Sequence, residues 1–358
     1  MKILWVSHRD VFHPASGGAE RTAFELAVQF DGMGDDVHVL SGAWNGALAH
    51  EVVNGVNFHR FYGRVLPHLV LPIVERLSLR PDLIIDDLAH VVPWGSPQFT
   101  NTPGVAFFRH LHARTLGGQV GPVLARVLAR VERSYSRIYA KWPFVTESTS
   151  SVTDLVALGV DARRIKTLPP GVDVTRYHPG KRSQQPLLVY FGGLKAYKRP
   201  DLALRLLWSL RNRGIDASLV VIGSGPLSTS MRNLAAELGI AKWVFFHGRL
   251  SDKELPEIVR RGWVNLHFSV AEGWCLSAME AAASGLPTVA FKIPGLVDSV
   301  VDGRTGFLVT GGDFSALVDR TVLAIEGCEE LGANARSWAE EHSWAIAAKR
   351  WHQWLEAL

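Results

Sequence analysis

Short unbroken apolar runs alternate along this chain with stretches in which apolar residues recur every three or four positions. The first kind predicts strands buried on both faces, the second amphipathic helices. In the first half, strands are expected over residues 2–7, 37–40, 83–86, 105–108 and 143–145, and helices over 20–30 and 122–141. The segment 168–186, rich in Pro, Gly and charge, interrupts the pattern and reads as a linker. Strand-like runs resume at 187–191 and recur at 219–222, 244–246, 263–268 and 288–291. Strands alternating with helices mark parallel α/β sheets. Residues 343–358, with Trp344, Trp351 and Trp354, predict a terminal helix with a large apolar face.

A length of 358 residues suits two domains better than one. The expected division is a first domain over 1–168, a linker over 169–186, a second domain over 187–340 and a closing helix over 341–358. A hydrophobic fraction of 47% and a charged fraction of 20% describe an ordinary globular chain. No apolar run reaches the roughly 18 residues a spanning helix needs, and residues 1–7 are too short for a signal peptide. Two cysteines, Cys275 and Cys328, make neither a disulfide framework nor a metal cluster, so a cytoplasmic location is expected.

The net charge of +4 is modest but unevenly spread, and it does not point to nucleic acid. Between residues 101 and 146 lie Arg109, Arg114, Arg126, Arg130, Arg133, Arg137 and Lys141, against the single acid Glu132. The last five basic residues recur at helical steps and form one stripe, with Leu124, Val127, Leu128, Val131 and Ile138 on the other side. Such a stripe is either a solvated face over a core contact or a surface for an anionic membrane.

The strongest candidate for chemistry is the pair Glu272 and Glu280. An apolar run, 263–268, precedes them and an Ala-rich helical stretch, 276–284, follows. A helix starting there points free N–H groups and its dipole into the loop, a ready phosphate site. Two acceptor-only carboxylates around such a site suit a diphosphate with hydroxyls at both ends. A capped helix with two unrelated surface glutamates would show the same spacing.

The neighbouring residues extend this pattern. Glu272-Gly273-Trp274-Cys275-Leu276-Ser277-Ala278-Met279-Glu280 continues through Gly285-Leu286-Pro287, Pro294-Gly295 and Val301-Asp302-Gly303-Arg304-Thr305-Gly306. The stretch closely resembles the donor-site signature of glycosyltransferase family 4, and the linker and Trp-rich end are similar to that family too. The resemblance implies the α/β GT-B fold: two Rossmann-like domains facing across a cleft, with the last helix crossing back to the first domain. It implies retaining transfer of a hexose from a nucleotide diphosphate sugar to an acceptor hydroxyl, with no metal ion and no separate cofactor. Glu280 would then bind the ribose hydroxyls and Glu272 the sugar hydroxyls. The backbone of Gly273, Trp274, Cys275 and Leu276 would hold sugar and phosphate.

Further sites follow from the same resemblance, beside what each residue says alone. Gly17 and Gly18 open a helix after the first strand: a tight turn on their own, a loop over the donor diphosphate in the family. No GxGxxG follows that strand, which counts against a nicotinamide dehydrogenase. Lys198 falls on the family lysine that grips the diphosphate, whereas Gly193 stands where the family has an arginine; Lys195 or Arg199 could fill that gap. Gly223, Gly248, Arg249 and Leu250 border the nucleotide pocket. In the first domain His110 is the favoured contact to the transferred sugar, with Arg109 and His112 as alternatives and Asp87 on the acceptor side.

Two alternatives share the architecture: a nucleotide-sugar epimerase, against which the paired glutamates argue, and a non-catalytic nucleotide-sugar-binding module, motivated by Gly193. The acceptor, whether a glycan, a lipid-linked sugar or a small molecule, stays open. Peripheral contact with the inner membrane surface is expected if the arginine stripe meets anionic lipid.

Overall fold

The computed structural model describes residues 1–61, 79–113 and 121–358. The chain divides into two compact units, Met1–Gly171 together with Trp344–Leu358, and Val172–Ser343. Arg114, counted in the basic segment, lies outside the described residues.

Unit 1 contains β1 (Lys2–Val6), β2 (Asp36–Gly42), β3 (His50–Val53), β4 (Val56–Phe61), β5 (Leu83–Leu88), β6 (Gly104–Phe108), β7 (Phe144–Thr146) and β8 (Ile165–Thr167). They form one sheet in the order β3-β4-β2-β1-β5-β6-β7-β8. All pairs are parallel except β3 with β4, a hairpin that closes on Val53↔Val56. Its turn residues, Asn54 and Gly55, have φ of 49° and 82°, the left-handed pair that tight hairpins need. The helical pattern over 20–30 is a helix over Gly18–Gly32.

The closing helix, Trp344–Leu355, belongs to unit 1. Its Trp351 is fully buried, with ring centroids 6.2 Å from Trp5 and 4.9 Å from Phe107. Burying one such side chain contributes roughly 1.5–3 kcal/mol, which explains the aromatic face. His352 Nε2 adds a 3.0 Å contact to Asp35 Oδ2.

The single helix expected over 122–141 is two, Pro122–Glu132 and Tyr135–Ile138. The break sits at Ser134, whose hydroxyl bonds back to the Val131 carbonyl at 2.6 Å and competes with the backbone ladder. The expected core face is also corrected. Leu124 and Val127 are 50% and 48% exposed and Val123 is 71% exposed, while Glu132 is buried.

Unit 2 carries β9 (Leu187–Phe191), β10 (Ser218–Ile222), β11 (Val244–Gly248), β12 (Val264–His267), β13 (Thr288–Phe291) and β14 (Gly306–Val309). The sheet is wholly parallel, in the order β11-β10-β9-β12-β13-β14. Its central strands β9 and β12 are buried throughout; β9 is an unbroken apolar run, whereas β12 also buries Asn265 and His267. The helix Asp201–Asn212 lays Leu202, Leu206 and Leu210 on one face of this sheet, and Phe314–Glu326 adds Leu317 and Ala324 to the same core.

Both sheets are doubly wound, and each reverses direction once. The reversal falls between β1 and β5 in unit 1 and between β9 and β12 in unit 2. Ligands of open α/β sheets bind outside the carboxyl ends of the strands at that switch point. The loops after those four strands are therefore where chemistry is to be sought.

Candidate functional site

In unit 2 the two loops at the switch point meet through side chains. The loop after β9 ends in a turn, Ala196–Lys198, and its Tyr197 carbonyl accepts the Val270 N–H of the loop after β12 at 2.9 Å. This places the Lys198 ammonium against Glu272 Oε1, to which it donates. The same oxygen lies 2.9 Å from Nε2 of His267, the last residue of β12. Ser269 Oγ is also 2.9 Å from that nitrogen, and Ser277 Oγ is 3.4 Å from Nδ1 on the other side of the ring.

Burial opposes charge on each group, and pairing overcomes it. Lys198 is held above the usual lysine value by the Glu272 carboxylate. Glu272 is held well below the usual carboxylate range by Lys198 and His267. Burial lowers the His267 pKa, but the Cys275 sulfur and the Glu272 carboxylate raise it to about 9. The Lys198 ammonium and the His267 ring thus bracket one carboxylate.

Beyond the loop the helix Leu276–Ala283 begins, with Cys275 as its cap at φ 89°, a conformation rare for a residue with a side chain. Gly273, Trp274 and Cys275 are buried; Leu276 and Glu280 are half-buried on the same helix. Gly295, at φ 81°, backs this loop so closely that a Cβ would lie 2.7 Å from the Glu272 carbonyl oxygen. Glu272 lies in the loop just before the helix N-terminus, and Glu280 is the fifth residue of that helix.

The glycine loops interlock nearby. Gly223, at φ 127°, donates its N–H to the Gly248 carbonyl at 2.7 Å, and a Cβ on it would fall 2.0 Å from the Gly192 oxygen. These glycines pack β9, β10 and β11 loop against loop; Arg249 and Leu250 follow directly at the end of β11. At Gly193 the missing side chain is replaced in space: a Cβ there would sit 3.7–3.8 Å from the Lys195 stem. Lys195 is exposed, while Arg199 is paired with Asp201 at 3.1 Å. Of the two substitutes for an arginine, Lys195 is the one whose stem lies over Gly193.

In unit 1, Gly17 caps the helix Gly18–Gly32 and donates its N–H to Glu20 Oε2 at 2.8 Å. Arg109 and Asp87, expected on the acceptor side, are buried at 2% and 0% exposure and engage each other. Arg109 donates to both Asp87 oxygens at 2.9 and 2.6 Å, to Glu147 at 2.6 Å and to the Ala19 carbonyl at 3.1 Å. Asp87 also accepts from Trp5 Nε1 at 3.2 Å. These bonds tie β5 and β6 to the start of the first helix. The His112 ring is held between Glu132, at 3.2 Å, and the Ala89 carbonyl, at 3.1 Å. His110 is half-buried, its ring 4.5 Å from that of His112. Across the switch point the His8 and His90 rings lie 4.3 Å apart.

The sequence reading missed His267, Ser269 and Ser277. Their signal was a polar residue inside or just after an apolar strand, here closing β12 beside Glu272. Three ligand-type atoms, from His267, Glu272 and Cys275, lie within 4.8 Å of one another.

Residues 16–176 match the model described as glycosyltransferase family 4, and residues 173–338 match that of glycosyl transferases group 1. The chain is 31% identical to D-inositol 3-phosphate glycosyltransferase 2 of Catenulispora acidiphila, over 93% of its own length and 88% of that protein. It is 31% identical to D-inositol 3-phosphate glycosyltransferase of Nocardia farcinica over 57% of its own length. The match spans only about half the length of most such relatives, 50% in the Nocardia protein. Sucrose-phosphate synthase from Thermosynechococcus elongatus superposes with a TM-score of 0.84 at 19% identity, covering 99% of this chain and 98% of that one. That likeness shows the fold, GT-B.

Proposed function

The chain belongs to glycosyltransferase family 4, and on that premise we propose that it transfers a hexose from a nucleoside diphosphate sugar to an acceptor hydroxyl, with retention and without a metal ion. The observation that carries this reading is the switch point of unit 2, where Lys198 and His267 flank Glu272 at the N-terminus of the helix Leu276–Ala283. A departing diphosphate gains negative charge as the glycosidic bond breaks. Lys198 supplies fixed positive charge, and the N–H groups of Trp274, Cys275 and Leu276 supply donors. Lys195, reaching over Gly193, is the second cation on the diphosphate.

Glu280 accepts from the ribose hydroxyls. Glu272 accepts from the sugar hydroxyls, and its pairing with Lys198 and His267 keeps it ionised for that role. No side chain of the cluster is a well-placed nucleophile, because the Glu272 carboxylate is held by its two partners. A front-face route, in which a leaving phosphate oxygen takes the acceptor proton, needs none.

The name of the Catenulispora relative specifies D-inositol 3-phosphate, which supports an acceptor that carries phosphate. Among the described residues no helix is long and apolar enough to cross a membrane. The exposed Val123, Leu124 and Val127 beside exposed Arg126 and Arg130 make an amphipathic face suited to an anionic leaflet. We assign peripheral membrane contact to that face.

The experiment is titration calorimetry against a panel of nucleoside diphosphates, then transfer assays with the matching sugar donors and D-inositol 3-phosphate. Proton coupling at the anomeric centre of the product reads the stereochemistry. Turnover with retained configuration, unchanged by EDTA, is expected. Inverted product, loss of activity in EDTA, or isomerised donor without transfer would overturn the reading.

A further inference from the structure

His267, Glu272 and Cys275 come from three adjacent pieces of chain: the end of β12, the loop after it, and the cap of the helix Leu276–Ala283. An imidazole nitrogen, a carboxylate oxygen and a thiol sulfur lie mutually within 4.8 Å. His267 and Cys275 are buried, and the Glu272 side chain is 13% exposed. We infer that these three residues hold a thiophilic divalent cation, zinc being the type ion, and that this ion competes with the Lys198 ammonium for Glu272.

The donor chemistry selects the ion. Nitrogen, sulfur and oxygen together suit a borderline-soft metal, and three protein ligands leave a fourth position for water or a ligand oxygen. Tetrahedral bonds of about 2.0–2.3 Å set ligand atoms roughly 3.5 Å apart. The three atoms lie within 4.8 Å of one another and the His267–Glu272 pair is 2.9 Å apart, so seating an ion asks for side-chain shifts of about 1 Å. Ser277 Oγ, 3.4 Å from both His267 Nδ1 and Cys275 Sγ, stands as the outer contact that orients the ring. Charge does not forbid the ion: as zinc enters, imidazolium and thiol each release a proton, and the net charge of the pocket is unchanged. What must open is the Lys198–Glu272 contact. An ion seated there occupies the oxygen that the proposed function assigns to the sugar, so that reading makes it an inhibitory site.

Cobalt(II) titration of the reduced full-length chain tests the site without donor or acceptor. A one-to-one complex with a thiolate-to-cobalt charge-transfer band, bleached by zinc, is expected. Cys275→Ser should abolish the band and Cys328→Ser should keep it. Glu272→Gln should weaken zinc binding at least ~10-fold, and Lys198→Met should tighten it ~10-fold by removing the competitor. No band at one equivalent, a band that survives Cys275→Ser, or unchanged zinc affinity in Lys198→Met would overturn the inference. Because the readout is absorption of the protein itself, its failure is distinct from failure of the transfer reading.

Discussion

The Lys198–Glu272 pair should be energetically coupled, and a double-mutant cycle measures by how much. Lys198→Met keeps the stem and removes the charge; Glu272→Gln keeps the shape and removes the charge. Both side chains are mostly buried, at 17% and 13% exposure, so solvent screens them weakly. Breaking a fully buried pair costs about 3–5 kcal/mol, because the remaining charge loses its partner. Glu272 keeps His267 at 2.9 Å, which offsets part of that loss in Lys198→Met. We expect that single variant to lose about 2–3 kcal/mol, and the double variant to lose less than the sum of the singles by about 1–3 kcal/mol. For a unit of this size each kcal/mol moves Tm by about 2–4 °C, so Lys198→Met should melt roughly 5–10 °C lower. The assay is thermal and urea unfolding of the four proteins, followed by steady-state kinetics. Under the leaving-group role, Lys198→Met should lower kcat by about 10²–10³ with little change in donor KM. Additivity within ~0.5 kcal/mol would refute the coupling. A raised KM with unchanged kcat would refute the role in departure of the diphosphate.

Four further outcomes are expected. Glu280→Ala should weaken nucleoside diphosphate binding roughly 10- to 100-fold by calorimetry, the effect of losing a charge-assisted hydrogen bond of about 1.5–3 kcal/mol; unchanged affinity would contradict the ribose contact. Gly295→Ala should destabilise by about 2–4 kcal/mol and cripple transfer, because its Cβ meets the Glu272 backbone at 2.7 Å. Gly303→Ala, with φ of 73° and no atom within 4 Å, should cost only the backbone strain of about 1–2 kcal/mol. If denaturation midpoints of the two alanine variants match, the contact argument fails. In unit 1, burial and the neighbouring His38 and His50 lower the His59 pKa to about 4. The unfolded chain therefore takes up a proton first, and stability should fall as pH drops from about 6.5 to about 4, by roughly 1–2 kcal/mol after solvent screening of this part-exposed ring. Melting curves of His59→Gln should lose that acid dependence, and an identical pH profile would refute it. Co-sedimentation should show binding to anionic but not neutral vesicles, reduced by salt and by neutralising Arg126, Arg130, Arg133 and Arg137. No pelleting at low salt would leave the exposed helix face without a lipid role.

Local periodicity carried most of the architecture. The runs at 187–191, 219–222 and 288–291 are strands because a parallel strand buried on both faces favours a mostly apolar run. The helix over 276–283 was legible for a similar reason: a strand, a glycine-bearing loop and an Ala-rich stretch specify that junction within about twenty residues of chain. The Asn54-Gly55 hairpin is equally local, an Asn-Gly turn between two strands whose burial alternates residue by residue.

What only the tertiary structure decided were the partners of charges. Lys198 and Glu272 are 74 positions apart, and Arg109 meets the Ala19 carbonyl 90 positions away. No pattern of nearby residues encodes such pairings, because a side chain's energy there depends on what the folded chain brings beside it and how far water is excluded. That dependence joins Arg109 and Asp87 in a buried brace, and it leaves Leu124 and Val127 of the arginine helix exposed. It also set His267, at the end of β12, against the Glu272 carboxylate. Hydrophobic period is written along the chain, whereas the sharing of one carboxylate oxygen between a lysine and a histidine exists only once β9 and β12 lie side by side.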